Sequence, residues 1–331
     1  MRAIVVRRHG GPEVLEPTEL PDPAPGPGQA LVRAAVNGVH LVEATVRRGG
    51  DGVPPHLRPT LPYVPGREVA GEVVAVGEGV DAGLVGRQVV ANTSAAGGGG
   101  GYAELAAVPL ELLHLVPDGL GLEAAVALLG TGRMAIRVAD VARIGRDDAV
   151  LVLAAAGGIG AMLVGHARLA GARLVVGAAG GPEKTALVRA LGADLAVDYA
   201  VAGWDEEVRE AAGPDGVTVV VDGVGGDAGQ RALALLGRGG RQVVVGWAAG
   251  TPTTASAGEL AARGVALLPV VGGAGPPSAE DQRAWSARAL AEGAAGRLVA
   301  HVGRRFALDD AAGAHRALEA RATTGKTVLL P

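Results

Sequence analysis

The chain has 331 residues, no cysteine, 30 Lys plus Arg against 34 Asp plus Glu, and a formal net charge of −4. Its length suits two domains, and a hydrophobic share of 49% argues against disorder. The lack of cysteine excludes disulfides, thiolate zinc sites and a thiol nucleophile. The mild acidity gives no footing for nucleic acid or an anionic membrane.

The N-terminal stretch Met1–Arg8 is short and charged, unlike a secretory signal, so a cytoplasmic location is expected. Up to about Leu120 the pattern predicts short strands at Val5-Val6, Ala30–Ala35, Glu68–Val76 and Gln88–Ala91. Turn-forming segments separate them, among them Pro21–Gly28 and the low-complexity Gly97–Gly101. Many short strands with such punctuation predict a barrel-like β domain.

After Glu123 the rhythm changes. Apolar strands are predicted at Val150–Ala154, Arg173–Ala178, Ala196–Asp198, Val217–Asp222, Arg241–Gly246 and Val265–Val271. Helices are predicted at Ala161–Ala170, Glu183–Leu191 and Gly229–Leu236, the second opened by Pro182 and closed by Gly192. Doubly apolar strands alternating with helices indicate a doubly wound parallel sheet. From about Gly273 the tail adds helical runs at Glu280–Glu292 and Asp309–Ala320 and a strand at Lys326–Leu330.

The strand Val150–Leu153 leads into Ala155-Ala156-Gly157-Gly158-Ile159-Gly160, where a helix opens. A dinucleotide pyrophosphate needs such a turn. Gly157 and Gly158 admit the phosphates to the backbone, the N–H groups of the new helix point at them, and Gly160 allows close helix–strand packing. Ala155 stands where the first glycine usually falls, and a plain strand–helix turn would also account for the motif taken alone; its place in a βαβ unit favours the nucleotide. About 20 residues on, Gly177–Gly181 lacks the acid that would bind a ribose 2′-hydroxyl. The small residues Ala179 and Gly180, with Lys184 close by, suit a 2′-phosphate and hence NADPH; a solvated helix residue is the other reading of Lys184.

Several motifs in one order give the chain a wider resemblance. They are Gly10–Leu15, Val64–Gly71, Gly101–Glu104, Ala154–Gly160, Ala190–Asp194, Val221–Gly226 and Arg321–Lys326. Together they resemble the zinc-independent, zeta-crystallin-like quinone oxidoreductases of the medium-chain dehydrogenase/reductase superfamily. The resemblance implies an α/β protein: a GroES-like β-barrel catalytic domain (1–122 and 273–331) interrupted by a Rossmann NADPH-binding domain (123–272), with the active site in the cleft between them. It also implies that Lys184, Tyr199 and Arg321 hold the 2′-phosphate, and that the cofactor set extends to Thr131, Gly132, Val224, Gly246 and Trp247. Core packing is the alternative for Trp247.

Zinc-dependent relatives place ligands in the segment matched by 37–43 and in a Gly-His-Glu motif. Here His40 falls at the first ligand position and the second motif reads Gly66-Arg67-Glu68. A guanidinium beside the remaining donors disfavours a dication, and Arg67 is expected to pair with Glu68. No metal is expected.

Without a metal Lewis acid, the suited acceptor is conjugated: a quinone first, with an enone or enoyl thioester as the enoyl-reductase alternative. His40 is the candidate donor beside the acceptor oxygen, against a structural hydrogen-bonded role. Tyr63 lines the same cleft or simply packs. A non-catalytic nucleotide-binding protein is the reading from another class. His9, His56, His114, His166, His301 and His315 show no clustered spacing and receive no role. The apolar edge strand Val265–Val271 is expected to pair across a homodimer.

Overall fold

The structure is a computed structural model and describes residues 1–50, 53, 57–93, 100–271 and 277–331. Residues 97–99 of the glycine tract, His56 and the boundary expected at 272/273 therefore lie outside the described residues. The chain forms two compact units: Met1–Thr131 with Ser286–Gly296 and Ala300–Pro331, and Gly132–Trp285 with Arg297–Val299. Among the described residues no helix is long and apolar enough to cross a membrane.

The first unit is mainly antiparallel. Strands β1 (Arg2–Val5) and β2 (Glu16–Glu19) form a ribbon. A larger sheet contains β3 (Gln29–Val39), β4 (Glu68–Val76), β5 (Gln88–Asn92), β6 (Leu105–Pro109) and β7 (Leu113–Leu115). Helix α1 (Leu41–Arg48) follows β3 and α2 (Leu122–Ala127) follows β7.

The central β3 runs past the expected Ala30–Ala35 because Val36–Val39 is buried on both faces, paired on one side with β4 and on the other with the last strand. Val32, Val69, Val73, Val89 and Val108 make one apolar face fully buried, each contributing roughly 1.5–3 kcal/mol.

The second unit opens with α3 (Arg133–Ala142) and builds a six-stranded sheet. Its elements are β8 (Ala149–Leu153), α4 (Gly158–Leu169), β9 (Leu174–Ala179), α5 (Pro182–Ala190), β10 (Leu195–Asp198) and α6 (Trp204–Ala212). They continue with β11 (Val217–Asp222), α7 (Gly226–Ala234), β12 (Leu236–Val244), α8 (Ala257–Arg263) and β13 (Ala266–Pro269). All pairings are parallel in the order β10-β9-β8-β11-β12-β13, so the winding reverses between β8 and β11. Open α/β sheets bind ligands beyond the carboxyl ends of the strands at that reversal.

Two predicted limits are corrected here. The helix predicted to Leu236 ends at Ala234, because Leu236 already pairs with Val217; β12 then bulges at Gly237–Gly240, a run that reads as a turn in sequence. The edge strand β13 is shorter than Val265–Val271, ending at Pro269, which has no N–H to extend a ladder. Pro182 at the first position of α5 and Gly192 at φ +100 just beyond it match the predicted punctuation.

The chain then forms α9 (Ala279–Ala294), and the first unit is completed by β14 (Val302–Ala307), α10 (Ala311–Glu319) and β15 (Lys326–Leu330). Strand β15 pairs with the C-terminal end of β3 on the side opposite β4. That insertion of the last strand beside β3 builds the polar cluster described next.

Candidate functional site

In the second unit, the turn after β8 has the geometry a pyrophosphate requires. Ala154 sits at φ +52, Gly157 N–H donates to the Ala154 carbonyl at 2.8 Å, and α4 begins at Gly158. The first-turn N–H groups of α4 lack intrahelical acceptors and face outward from the strand end. A Cβ on Gly160 would lie 2.3 Å from the Ala154 carbonyl oxygen, so only glycine lets α4 pack this closely.

Ala155 is tolerated because the neighbouring strand gives way. A Cβ on Gly177 would lie 3.0 Å from the Ala155 Cβ and 2.2 Å from Val188 Cγ1. Ala156 is buried, while Gly157, Gly158 and Ile159 are half-buried.

Beyond β9, Ala179 is buried and Gly180 half-buried, and the Tyr199 ring lies 3.6 Å from where a Gly180 Cβ would stand. Lys184 occupies the third position of α5 and is half-buried. The acid-free stretch Gly177–Gly181 nevertheless acquires a carboxylate: Asp198, at the end of β10, accepts Gly181 N–H at 3.0 Å and Ala200 N–H at 2.9 Å. Sequence spacing misses this because the contact is made through β9–β10 pairing.

The loops after β11 and β12 hold one another. Asp222, wholly buried, accepts hydrogen bonds from Val224 N–H, Gly225 N–H, the Gln242 amide and the Thr253 hydroxyl. Ala248 and Ala249 N–H groups donate to the Gly223 and Val224 carbonyls. This places Val224 and half-buried Gly246 at neighbouring strand ends, while Trp247 is 40% exposed rather than packed in the core. An acid directly after the apolar run Val219-Val220-Val221 was the available signal for Asp222.

Thr131 and Gly132 lie in a π-helical turn, Leu128–Gly132, between α2 and α3. Such turns recur at functional sites. Arg321, in the first unit, is exposed at φ +55 just after α10.

The first unit assembles a cluster that the sequence only half revealed. His40 caps α1, its N–H bonded to Glu43 Oε2 at 2.9 Å. Its Nε2 lies 2.7 Å from Glu68 Oε2 and 2.8 Å from Lys326 Nζ, and Lys326 Nζ lies 2.7 Å from the same carboxylate oxygen. Glu68 is wholly buried, Lys326 is 4% exposed, and the His40 side chain is 24% exposed. Burial pushes the Glu68 carboxyl up, but the facing His40 and Lys326 outweigh it and hold it well below the usual carboxylate range.

The expected Arg67–Glu68 pair does not form. Consecutive residues entering a strand point to opposite faces, and Glu68 turns inward to Lys326 while Arg67 is left half-buried. Lys326 carried no signal beyond its place in the Arg321–Lys326 motif.

Tyr63 belongs to the packed core with Ile4, Val6 and Tyr102. Its hydroxyl has no hydrogen-bond partner among the described residues, and burial with the nearby Glu43 charge pushes the phenol up to about 12. It is a poor proton donor at neutral pH.

His315, which had no role in sequence, lies at the centre of a second buried network. Tyr102 Oη donates to Glu43 Oε2 at 2.5 Å and lies 3.0 Å from His315 Nε2; Arg47 Nη1 lies 3.1 Å from His315 Nδ1 and Nη2 donates to Glu319 at 2.8 Å. Among the described residues no three His, Asp or Glu side chains converge as metal ligands would.

A GroES-like β unit joined to a parallel nucleotide-binding sheet defines a medium-chain dehydrogenase/reductase. Residues 26–118 match the alcohol dehydrogenase GroES-like domain family, and residues 158–291 the family described as zinc-binding dehydrogenase. The chain is 35% identical to a quinone oxidoreductase of Pseudomonas aeruginosa, over 98% of this chain and 97% of that one. It is 32% identical to a 2-haloacrylate reductase of a Burkholderia species, over 99% and 98%. The Escherichia coli quinone oxidoreductase solved with NADPH superposes with a TM-score of 0.84, at 29% identity and full coverage of both chains. The chain belongs to the quinone oxidoreductase-type branch of the medium-chain dehydrogenase/reductase superfamily and is an oxidoreductase.

Proposed function

We propose that this chain is an NADPH-dependent, zinc-independent reductase delivering hydride to a conjugated acceptor, a quinone before others. The observation that carries the acceptor class is the Lys326 ammonium. It sits against both remaining donors of the ancestral metal position, His40 and Glu68, so a dication would meet two ligands and a fixed positive charge. An acceptor whose developing charge is delocalised needs only a hydrogen-bond donor, which His40 supplies to the acceptor oxygen.

The second unit fits the dinucleotide. The close α4–β8 approach at Gly160 leaves a cradle for a pyrophosphate at Ala156, Gly157, Gly158 and Ile159. Within this unit Ala179, Gly180, Lys184 and Tyr199 would hold the 2′-phosphate; Val224, Gly246, Trp247 and Gly132 would line the rest. When bound, the reduced nicotinamide supplies the hydride. The E. coli relative solved with NADPH supports this cofactor.

The Burkholderia relative, named for reduction of a haloacrylate, favours one second reading: a carbon–carbon double bond activated by an adjacent carbonyl. A steady-state screen of NADPH oxidation against quinones, enones and enoyl thioesters separates the two; turnover of none of them overturns both. About one zinc per chain with activity lost on chelation overturns the metal-free reading. Lys184→Ala is expected to lower the NADPH-over-NADH preference at least ~10-fold, as loss of a charge-assisted phosphate contact should; an unchanged ratio removes Lys184 from the pocket.

We further infer a homodimer joined through β13. This strand ends the sheet with one edge unpaired among the described residues, and Ala266, Leu267 and Leu268 are only half-buried. A second copy of the same edge would complete the ladder. Light scattering showing a monomer at micromolar concentration would remove it.

A further inference from the structure

We propose that Asp198 is a positioning residue for the 2′-phosphate pocket: its carboxylate ties the glycine turn that opens α5 to the turn that carries Tyr199. The inference rests on the reading of Lys184 and Tyr199 as walls of that pocket.

The turn between β9 and α5 has little of its own to hold it. Gly180 and Gly181 bring no side chain, and Pro182 brings no N–H. Gly181 stands at φ +88, where glycine is favoured, and among the described residues a Cβ there would meet nothing within 4 Å. Two adjacent glycines have wide conformational freedom. Yet they set where α5 starts, and so where its third residue, Lys184, stands.

The tie comes from the neighbouring strand. Strand β10 pairs with β9 in parallel, with Asp198 level with Ala179, so the two strands end together and their turns lie side by side. Asp198 Oδ2 accepts the Gly181 N–H at 3.0 Å, and Oδ1 accepts the Ala200 N–H of its own turn at 2.9 Å. Its carbonyl accepts the Val201 N–H at 3.0 Å, and the Tyr199 N–H donates to the Ala179 carbonyl at 3.3 Å. Tyr199 lies between the two ends of that Asp198–Ala200 contact. One carboxylate therefore holds Gly181 and also shapes the backbone from which the Tyr199 ring reaches Gly180, 3.6 Å from where a Cβ would stand. Bonds from N–H to a carboxylate are charge-assisted and stronger than those between neutral groups.

An acid ending the second strand of such a sheet binds a ribose 2′-hydroxyl. Asp198 ends the third strand instead, and each of its oxygens already accepts a backbone N–H of the turns around the pocket. It acts on the shape of the pocket. Its charge opposes a phosphate while its geometry favours one, and two substitutions separate these effects. Asp198→Asn and Asp198→Ala remove the same charge. The first keeps a carbonyl oxygen able to accept an N–H, and the second keeps no acceptor.

The test measures dissociation constants for NADPH and NADH by nicotinamide fluorescence in wild type and both variants, together with kcat at saturating NADPH. The NADPH-over-NADH preference of Asp198→Ala is expected to fall ~5-fold or more below that of Asp198→Asn, about the worth of one hydrogen bond. The loss should lie in NADPH affinity, with NADH affinity and kcat unchanged. By NMR, the Gly181 amide should exchange slowly with solvent in wild type and faster in Asp198→Ala. Equal preferences in the two variants overturn the inference, because the carboxylate then acts by charge alone. Weakening of NADH alone overturns it by making Asp198 a ribose acceptor, and equal weakening of both cofactors by making it general support. Should Asp198→Ala fail to fold, an unprotected Gly181 amide in wild type still overturns the tie. If Lys184→Ala leaves the cofactor preference unchanged, the pocket reading fails, whereas Gly181 exchange decides the tie independently.

Discussion

Two histidine clusters share the first unit and draw on the same chemistry: an imidazole, a buried carboxylate and a cation. His40 with Glu68 and Lys326 keeps a quarter of its side chain open, and its cation contacts carboxylate and ring together. His315 is wholly buried, capped on both ring nitrogens by Tyr102 and Arg47, with no edge left to meet a ligand. The two are joined through α1, whose Glu43 accepts the His40 N–H at one end of the chain of contacts and the Tyr102 hydroxyl at the other. The difference teaches that exposure of one ring edge, rather than residue type, separates a histidine able to meet a ligand from one that only ties elements together.

That contrast can be broken most forcefully at Glu68. Glu68→Ala strands the buried Lys326 ammonium and is expected to cost ~3–5 kcal/mol in chemical denaturation, the range for removing one partner of a buried ion pair. A loss below ~1 kcal/mol would mean that the pair is not desolvated as described.

The closed cluster should announce itself through pH. Burial, with the Arg47 charge second, pushes His315 down to about 3. In the unfolded chain it regains its ordinary value near 6.5, so between these limits the unfolded state binds a proton that the folded state refuses. Stability is therefore full above pH 6.5 and falls as pH drops toward 3, by on the order of 4 kcal/mol from this residue. Denaturant midpoints across that window should slope in wild type and flatten in His315→Gln; equal slopes would remove His315 as the cause.

The open cluster is tested by turnover. His40→Gln is expected to lower kcat/KM for the acceptor ~10²-fold with little change in melting temperature, the lower range for a positioned acid–base group. Its mirror, Tyr102→Phe, removes the hydroxyl linking Glu43 and His315 and should cost ~1–3 kcal/mol of stability while leaving NADPH affinity alone. If Tyr102→Phe reduces turnover more than stability, the two clusters act as one.

The unevenness of what could be read in advance follows from range. Strands β4, β11 and β15 keep the limits their patterns predict, since alternation or continuous apolarity is a local property. Failures came where a neighbour intervened: Leu236 joined a strand because Val217 was beside it, and Asp198 reached a loop that its own stretch of sequence does not contain.

The sequence by itself determined the nucleotide turn. Its glycines, the buried strand before it and the helix after it lie within a few residues, and their backbone demands need no distant partner. Folding added the reason Ala155 is allowed, through the space left at Gly177. The His40–Glu68–Lys326 cluster was decided by tertiary structure alone. Its members come from the cap of α1, from β4 and from β15, as many as 286 positions apart, and the absence of side chains at Gly38 and Gly130 leaves them room. Sequence could mark His40 as out of place at a former ligand position; only the pairing of the last strand with β3 supplied the cation that stands there.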